Sequence, residues 1–377
     1  MRPLSPPHAE LRAALSGLLP EGAFFEYTER GLCARRSQLP REGFRIAERL
    51  LSGQPLWVFD FCTGPADLSD NVHDGKSFRA GYEGVPGPLG ASIYRVDHHH
   101  PIPALARDST TPLVRRWLLS LHERGRDDVL ADVSRGRYLA NHWDADILFA
   151  HHLAANAIER PYVDTAGAVL AAAALRNDHL EPAPPAFEPA ASSAYYSVLG
   201  LERAITRGET SYRDAQVEWL PALAEWALSG RKQPRGALER RVAQWESEAR
   251  GAEESVLQRI ALWCKEGRLH TDHDGRVLVL SATERIDNAC FFLYVRKEMP
   301  LAGPRIQLLT YPSGGDLVTY KIRSHGGLDL HPLFLALNEK FPQTGFGGRA
   351  TAGGSRPTEP CTEGVVAVLR STLGTVG

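Results

Sequence analysis

The chain has 377 residues, 43% of them apolar, and a formal net charge of −2 at pH 7. That length suits two ordinary domains, and the near-neutral balance excludes a general nucleic-acid coating role while leaving room for a local basic groove. The five cysteines (Cys33, Cys62, Cys264, Cys290, Cys361) are scattered without a Cys-x-x-Cys pair, so neither a zinc ribbon nor a disulfide framework is indicated and a cytoplasmic location is expected.

Met1 to Pro7 is proline-rich and carries no apolar core, so no signal peptide is read there. Residues 42–51 place apolar side chains at helical spacing, and Leu56-Trp-Val-Phe-Asp60 reads as a buried strand ending in a carboxylate. Ile93-Tyr-Arg-Val96 is a short strand ending at Asp97, Thr111 to Arg124 is an amphipathic helix, and Tyr138-Leu-Ala140 leads into His142. A helix is expected from Ile147 to Ala157, with His151 and His152 at its surface or core edge. Strand–helix alternation of this kind predicts a mostly parallel sheet with helices on both faces, whose ligand site lies beyond the carboxyl ends of the strands. The longest apolar runs, such as Ala166 to Leu175, are too short to cross a bilayer, and no membrane partner is expected.

Residues 181–190 form a stiff proline-rich connector. Beyond it Ala194 to Lys265 reads as helical, with Trp219, Trp226 and Trp245 packing apolar faces. Strands are expected at Val277–Leu280, Ala289–Val295, Arg305–Leu309 and Leu317–Arg323, followed by a helix over Pro332–Lys340, a glycine-rich loop and a final helix over Thr362–Leu373. The expected organisation is an α/β metal-binding domain over 1–185, a helical connector over 186–270, and a smaller α+β substrate-binding domain over 271–377.

Residues Asn141-His-Trp-Asp-Ala-Asp146 carry the strongest chemical signal. On an extended strand end, His142, Asp144 and Asp146 alternate and point the same way. Two carboxylates and an imidazole aimed at one point require a cation, and that donor set suits Mn²⁺, Mg²⁺, Fe²⁺ or Zn²⁺. A second cluster, Asp97-His98-His99-His100, follows another strand-like run, and Asp97 with His98 or His99 can reach one site. Asp178 closes an alanine-rich helical run where a carboxylate opposes the helix dipole. In Gly345-Phe-Gly-Gly-Arg-Ala-Thr-Ala-Gly-Gly354, backbone N–H groups can surround an anion and Arg349 adds a donor fork. Lys321-Ile-Arg-Ser-His325 supplies further cationic donors in the same segment.

From about Arg305 onward the chain resembles the substrate-binding domain associated with DHH phosphoesterases. The family pattern is a strand ending in Arg-Ser, a helix, and then Gly-Gly-Gly-His-x-x-Ala-Gly. Ile322-Arg323-Ser324 matches the first part, and Gly345, Gly347, Gly348, Ala352 and Gly353 match the second, with Phe346 and Arg349 replacing a family Gly and His. His142-Trp-Asp-Ala-Asp146 resembles the family's His-x-Asp-x-Asp-Gly motif with Ile147 at the Gly position, and Val96-Asp-His-His99 resembles the Asp-His-His motif. These two motifs occur in the reverse of the family order.

The resemblance implies a metallohydrolase with Mn²⁺-type ions between two domains. Asp144, Asp146 (as the bridge), His142, Asp97, His98 and Asp178 would be metal ligands, with Asp144, Asp146 and His98 the catalytic set. Arg323, Ser324, Gly347, Gly348 and Arg349 would hold the substrate phosphate. A small nucleotide, short oligonucleotide or other phosphate ester is expected rather than a long duplex. Two alternatives remain: a repurposed DHH-like metalloenzyme of specialised metabolism, and a phosphate- or nucleotide-binding protein without hydrolysis.

Overall fold

The computed structural model describes residues 10, 13–14, 25–28, 31–34, 46–47, 49–51, 53–59, 85–86, 92–96, 109–140, 144–180, 183–230, 233–272, 275–286, 288–299, 305–325, 328–348 and 351–374. The chain divides into two units, one of Met1–His100 with Asp108–Ala249, the other of Pro101–Arg107 with Arg250–Gly377.

The first unit holds strands β1 (Phe25–Thr28), β2 (Gly31–Ala34), β3 (Leu56–Phe59), β4 (Val85–Pro86), β5 (Ser92–Val96) and β6 (Arg137–Ala140) in the order β1-β2-β6-β3-β5-β4. The central pairs β2–β6, β6–β3 and β3–β5 are parallel, while β1 and β4 are antiparallel edges. The expected mostly parallel sheet is therefore present. Every residue of β3 is buried, which is why Leu56-Trp-Val-Phe59 reads as a continuous apolar run rather than an alternating one. Trp57 stacks on Tyr94 at 5.3 Å and meets Trp117 edge-on at 4.6 Å, joining sheet to helix through large apolar areas.

Helices α1 (Thr110–Glu123), α2 (Asp127–Arg135), α3 (Ala145–Ala155), α4 (Arg160–His179), α5 (Glu188–Arg207) and α6 (Leu220–Ser229) follow, then α7 (Ala237–Lys265), which passes from the first unit into the second. Between α5 and α6 the backbone widens into a π-helical turn at Ala215–Trp219. The tryptophans do serve as core: Trp219 meets Trp245 at 4.8 Å, and the Trp226 indole N–H donates to Glu246 at 2.8 Å. Gly200 on α5 is where α7 comes closest, since a Cβ there would collide with the Trp245 side chain and Cα. No helix among the described residues is long and apolar enough to cross a membrane.

The second unit contains β7 (Leu269–Asp272), β8 (Val277–Ser281), α8 (Asn288–Glu298), β9 (Arg305–Pro312), β10 (Val318–His325), α9 (His331–Lys340), β11 (Gly347–Gly348), β12 (Ala352–Gly354) and α10 (Thr362–Gly374). Its sheet runs β11-β12-β10-β9-β8-β7, parallel only at β8–β9. One face of β9 and β10, with Ile306, Leu308, Tyr320 and Ile322, packs on Leu333, Phe334, Leu337 and Leu369 of α9 and α10. One expected strand is corrected here: Ala289–Val295 lies within helix α8. Seven residues of mainly apolar character do not separate a buried helix from a strand, and the segment is bounded by a polar Asn288 and a basic Arg296–Lys297 that suit helix ends.

Candidate functional site

The two described carboxylates of the first motif stand at a helix start rather than on a strand. β6 ends at Ala140 and α3 begins at Ala145, so Asp144 is the N-cap and Asp146 lies in the first turn. The strand alternation expected for His142, Asp144 and Asp146 therefore does not extend past Asp144, because the helical twist turns Asp146 onto another bearing. The Asp144 carboxylate accepts the Ile147 N–H at 3.0 Å, an ordinary cap that satisfies one orphan donor. Asp144 is half-buried.

Asp146 is only 1% exposed. Its Oδ2 accepts the Thr110 N–H and its Oδ1 the Thr111 N–H, each at 2.7 Å, and the Thr111 hydroxyl donates to the Asp146 carbonyl at 2.7 Å. It thus caps α1 from 35 residues away along the chain. The local N-cap, Ser109, makes no side-chain cap and its hydroxyl is buried without a partner among the described residues. The carboxylate fills that role and places negative charge at the positive end of α1.

Asp178 lies in the last turn of α4, buried at 9% exposure, and accepts from the Asn177 side chain at 3.4 Å. Asp97, His98, His142 and Arg349 lie outside the described residues. Among the described residues, no group of three or more His, Cys, Asp or Glu side chains is placed to hold a metal. Asp144 and Asp146 are oxygen donors of the right chemistry for a divalent ion, but by themselves they do not make up a site; a fit would require His142, Asp97 and His98.

His151 and His152, expected at a surface or core edge, are both buried, at 4% and 3% exposure. The His151 ring lies 4.1 Å from that of Tyr138. His152 Nε2 sits 2.6 Å from the Tyr162 hydroxyl. Burial holds His152 down at about 4 and pushes Tyr162 up to about 12, so both are neutral at pH 7.

In the second unit two sequence motifs far apart in the chain meet. β10 pairs antiparallel with β12, setting Arg323 opposite Ala352 and Lys321 opposite Gly354. β12 pairs in turn with β11 through Gly347↔Gly354 and Gly348↔Gly353. Glycine is required at the tightest point: a Cβ on Gly353 would fall 2.5 Å from Phe334 Cζ and also against the Gly347 carbonyl. The Asn338 side chain holds the turn from beneath, donating to the Phe346 carbonyl at 2.8 Å and accepting the Phe346 N–H at 2.7 Å. Gly347 and Gly348 are exposed.

Arg323 lies over the Phe292 ring at 5.3 Å, a cation–π contact that orients the guanidinium. Ser324 points to the opposite, core-facing side of the strand, where its hydroxyl donates to the Leu328 carbonyl at 2.7 Å. Its role in this structure is to close the chain after β10. Sequence reading did not single out Arg305 or Gln307. They stand directly across from His325 and Arg323, on the face that Arg323 occupies.

No protein-family model and no curated protein matches this chain. Solved structures do. A RecJ from Thermus thermophilus in complex with Mn²⁺ is 15% identical, with 64% of this chain and 39% of that one covered and a TM-score of 0.32. This chain thus spans about two fifths of that protein's length. An exonuclease RecJ bound to manganese is 14% identical over 84% of this chain and 74% of that one, TM-score 0.34. The DHH domain of a member of a ribosomal-protein family is 13% identical over 88% and 89%, TM-score 0.36. Solved DHH proteins are among the structures this chain resembles. The DHH-like features in hand are the Arg323–glycine hairpin of the second unit and the Asp144/Asp146 segment of the first.

Proposed function

We propose that the chain is a metal-dependent phosphoesterase of DHH type, acting on a small nucleotide, short oligonucleotide or other phosphate ester. The observation that carries this reading is the register of β10 on β12, which brings the Arg-Ser strand end and the glycine hairpin of the resemblance side by side. Arg323 supplies a planar donor fork to a phosphoryl oxygen, and the exposed backbone of Gly347 and Gly348 offers close approach for the same group. Arg349 is assigned the same anion-gripping role. Asp144, Asp146, His142, Asp97, His98 and Asp178 are assigned as ligands, Mn²⁺ being the preferred ion. When bound, that ion supplies a nucleophilic hydroxide at neutral pH and stabilises charge on phosphorus. Phosphoryl transfer depends mainly on positioning and electrostatics, and positioning is what Arg323, held on Phe292, contributes.

The test is elemental analysis of protein purified without chelator, followed by turnover of a phosphodiester and a short-oligonucleotide panel with and without Mn²⁺. Stoichiometric metal lost in Asp144→Ala, with turnover abolished in Arg323→Ala, is the expected result. Absence of bound metal together with absence of metal-stimulated turnover overturns it. A second reading, phosphate or nucleotide binding without hydrolysis, is favoured by one observation: both Asp146 oxygens already accept backbone N–H groups.

A further inference from the structure

On β9 and β10 every second residue turns away from the apolar core. Lys321, Arg323 and His325 share that outer face of β10, with Gln307 directly opposite Arg323 and Arg305 directly opposite His325 on β9. The charges that act on His325 are Arg323, Arg305 and Arg296 of α8, and that on Lys321 is Arg285; all are cationic. Together with burial they hold the His325 imidazole down at about 4 and push the Lys321 ammonium below its ordinary range. Two buried polar atoms on this face, Gln307 Oε1 and His325 Nε2, have no hydrogen-bond partner among the described residues. Gln307 is only 1% exposed. Arg305, buried at 6% exposure, directs one guanidinium nitrogen to the Met299 carbonyl at 2.8 Å.

Like charges gathered in partly buried surroundings repel one another and are costly unless an anion joins them. We propose that this face binds two linked phosphoryl groups, the first on Arg323 and the second on His325, Arg305 and Arg296, so that the substrate is a diphosphate-bearing ligand rather than a monoester. The inference rests on the phosphoesterase reading for the identity of the anion as phosphate. Directly opposed residues stand about 5 Å apart and alternate residues on one strand about 6.7 Å apart. The donors therefore cover a patch wider than one phosphoryl group reaches. Gln307 completes it, because its amide, turned through a half rotation, presents N–H₂ instead of the unmatched oxygen. A bound anion also reverses the field on His325 and lets the imidazole donate from both nitrogens.

The experiment is calorimetric titration of the full chain with inorganic pyrophosphate and with orthophosphate, at pH 7 in EDTA so that no metal and no turnover contribute. Pyrophosphate is expected to bind at least tenfold more tightly. Arg296→Ala, at an exposed position, and His325→Gln are each expected to weaken pyrophosphate three- to tenfold while leaving orthophosphate within twofold. Equal affinity for the two anions overturns the proposal, as does a pyrophosphate preference that survives both substitutions in variants of unchanged melting temperature. A retained preference in protein without Mn²⁺-stimulated turnover leaves this site standing and removes the hydrolase reading. Turnover without the preference removes the diphosphate site alone.

Discussion

Replacing Asp146 by Asn separates an anchoring carboxylate from one that serves only as a ligand. Asp146 accepts two backbone N–H groups at 2.7 Å and is 1% exposed. A hydrogen bond to a charged group contributes about 1.5–3 kcal/mol, and a buried donor left unmatched costs about 1–3 kcal/mol. The asparagine oxygen keeps one of the two donors, but its N–H₂ faces the other, and the charge at the start of α1 is gone. Together these put the loss at about 2–4 kcal/mol of first-unit stability. Urea unfolding in EDTA is the assay, with Asp144→Ala and Thr111→Val as references. The first removes an ordinary cap worth about 1 kcal/mol, the second the hydroxyl bond to the Asp146 carbonyl, also about 1 kcal/mol. A loss below about 0.5 kcal/mol for Asp146→Asn in EDTA, a margin typical of neutral surface changes, would refute the anchoring role. Equal stability in EDTA with a large difference in Mn²⁺ would assign the carboxylate wholly to metal.

His152 titrates at about 4 in the folded chain against an ordinary 6.5, so the unfolded chain binds the extra proton between those values. Stability from this group is complete above pH 6.5 and is lost as pH falls toward 4, by about 3 kcal/mol. His152→Gln should flatten the acid limb of Tm against pH relative to wild type, and an unchanged slope would count against it. Gly200→Ala should destabilise by about 1–3 kcal/mol through overpacking against Trp245, read by urea midpoint; a neutral result would mean α5 and α7 can separate freely. Gly353→Ala should lower both Tm and phosphate affinity because its Cβ meets Phe334 and the Gly347 carbonyl, whereas Gly347→Ala, with nothing within 4 Å, should leave Tm unchanged. Equal behaviour of the two in thermal melts and phosphate titration would refute the hairpin geometry.

Strand patterns carried most of the architecture. Leu56–Phe59 and Val277–Leu280 are legible because a buried strand needs only an unbroken apolar run with turn residues at its ends. Ala289–Val295 defeats the same rule, because a helix whose inner side is covered presents an equally apolar run. The carboxylates at 144 and 146 were legible as chemistry and misplaced as geometry, since the helix begins one residue after Asp144. Their partners Thr110 and Thr111 lie about 35 residues away, a separation at which local spacing carries no information. The same limit hid Arg305 and Gln307. Only strand register, set by the alternation of Ile306, Leu308, Tyr320 and Ile322 into the core, brings them across from His325 and Arg323.

β10 lies inside its sheet, bonded to β9 on one side and β12 on the other, and the Tyr320 hydroxyl accepts the Cys361 N–H at 2.6 Å just before α10. Arg323 is therefore fixed by an interior strand, while β11 with Gly347 and Gly348 lies at the sheet's margin. Sequence drift in that marginal hairpin can retune which ligand is admitted without moving the guanidinium that holds it, and such a division makes the scaffold evolvable: selectivity changes at the rim while the grip is inherited.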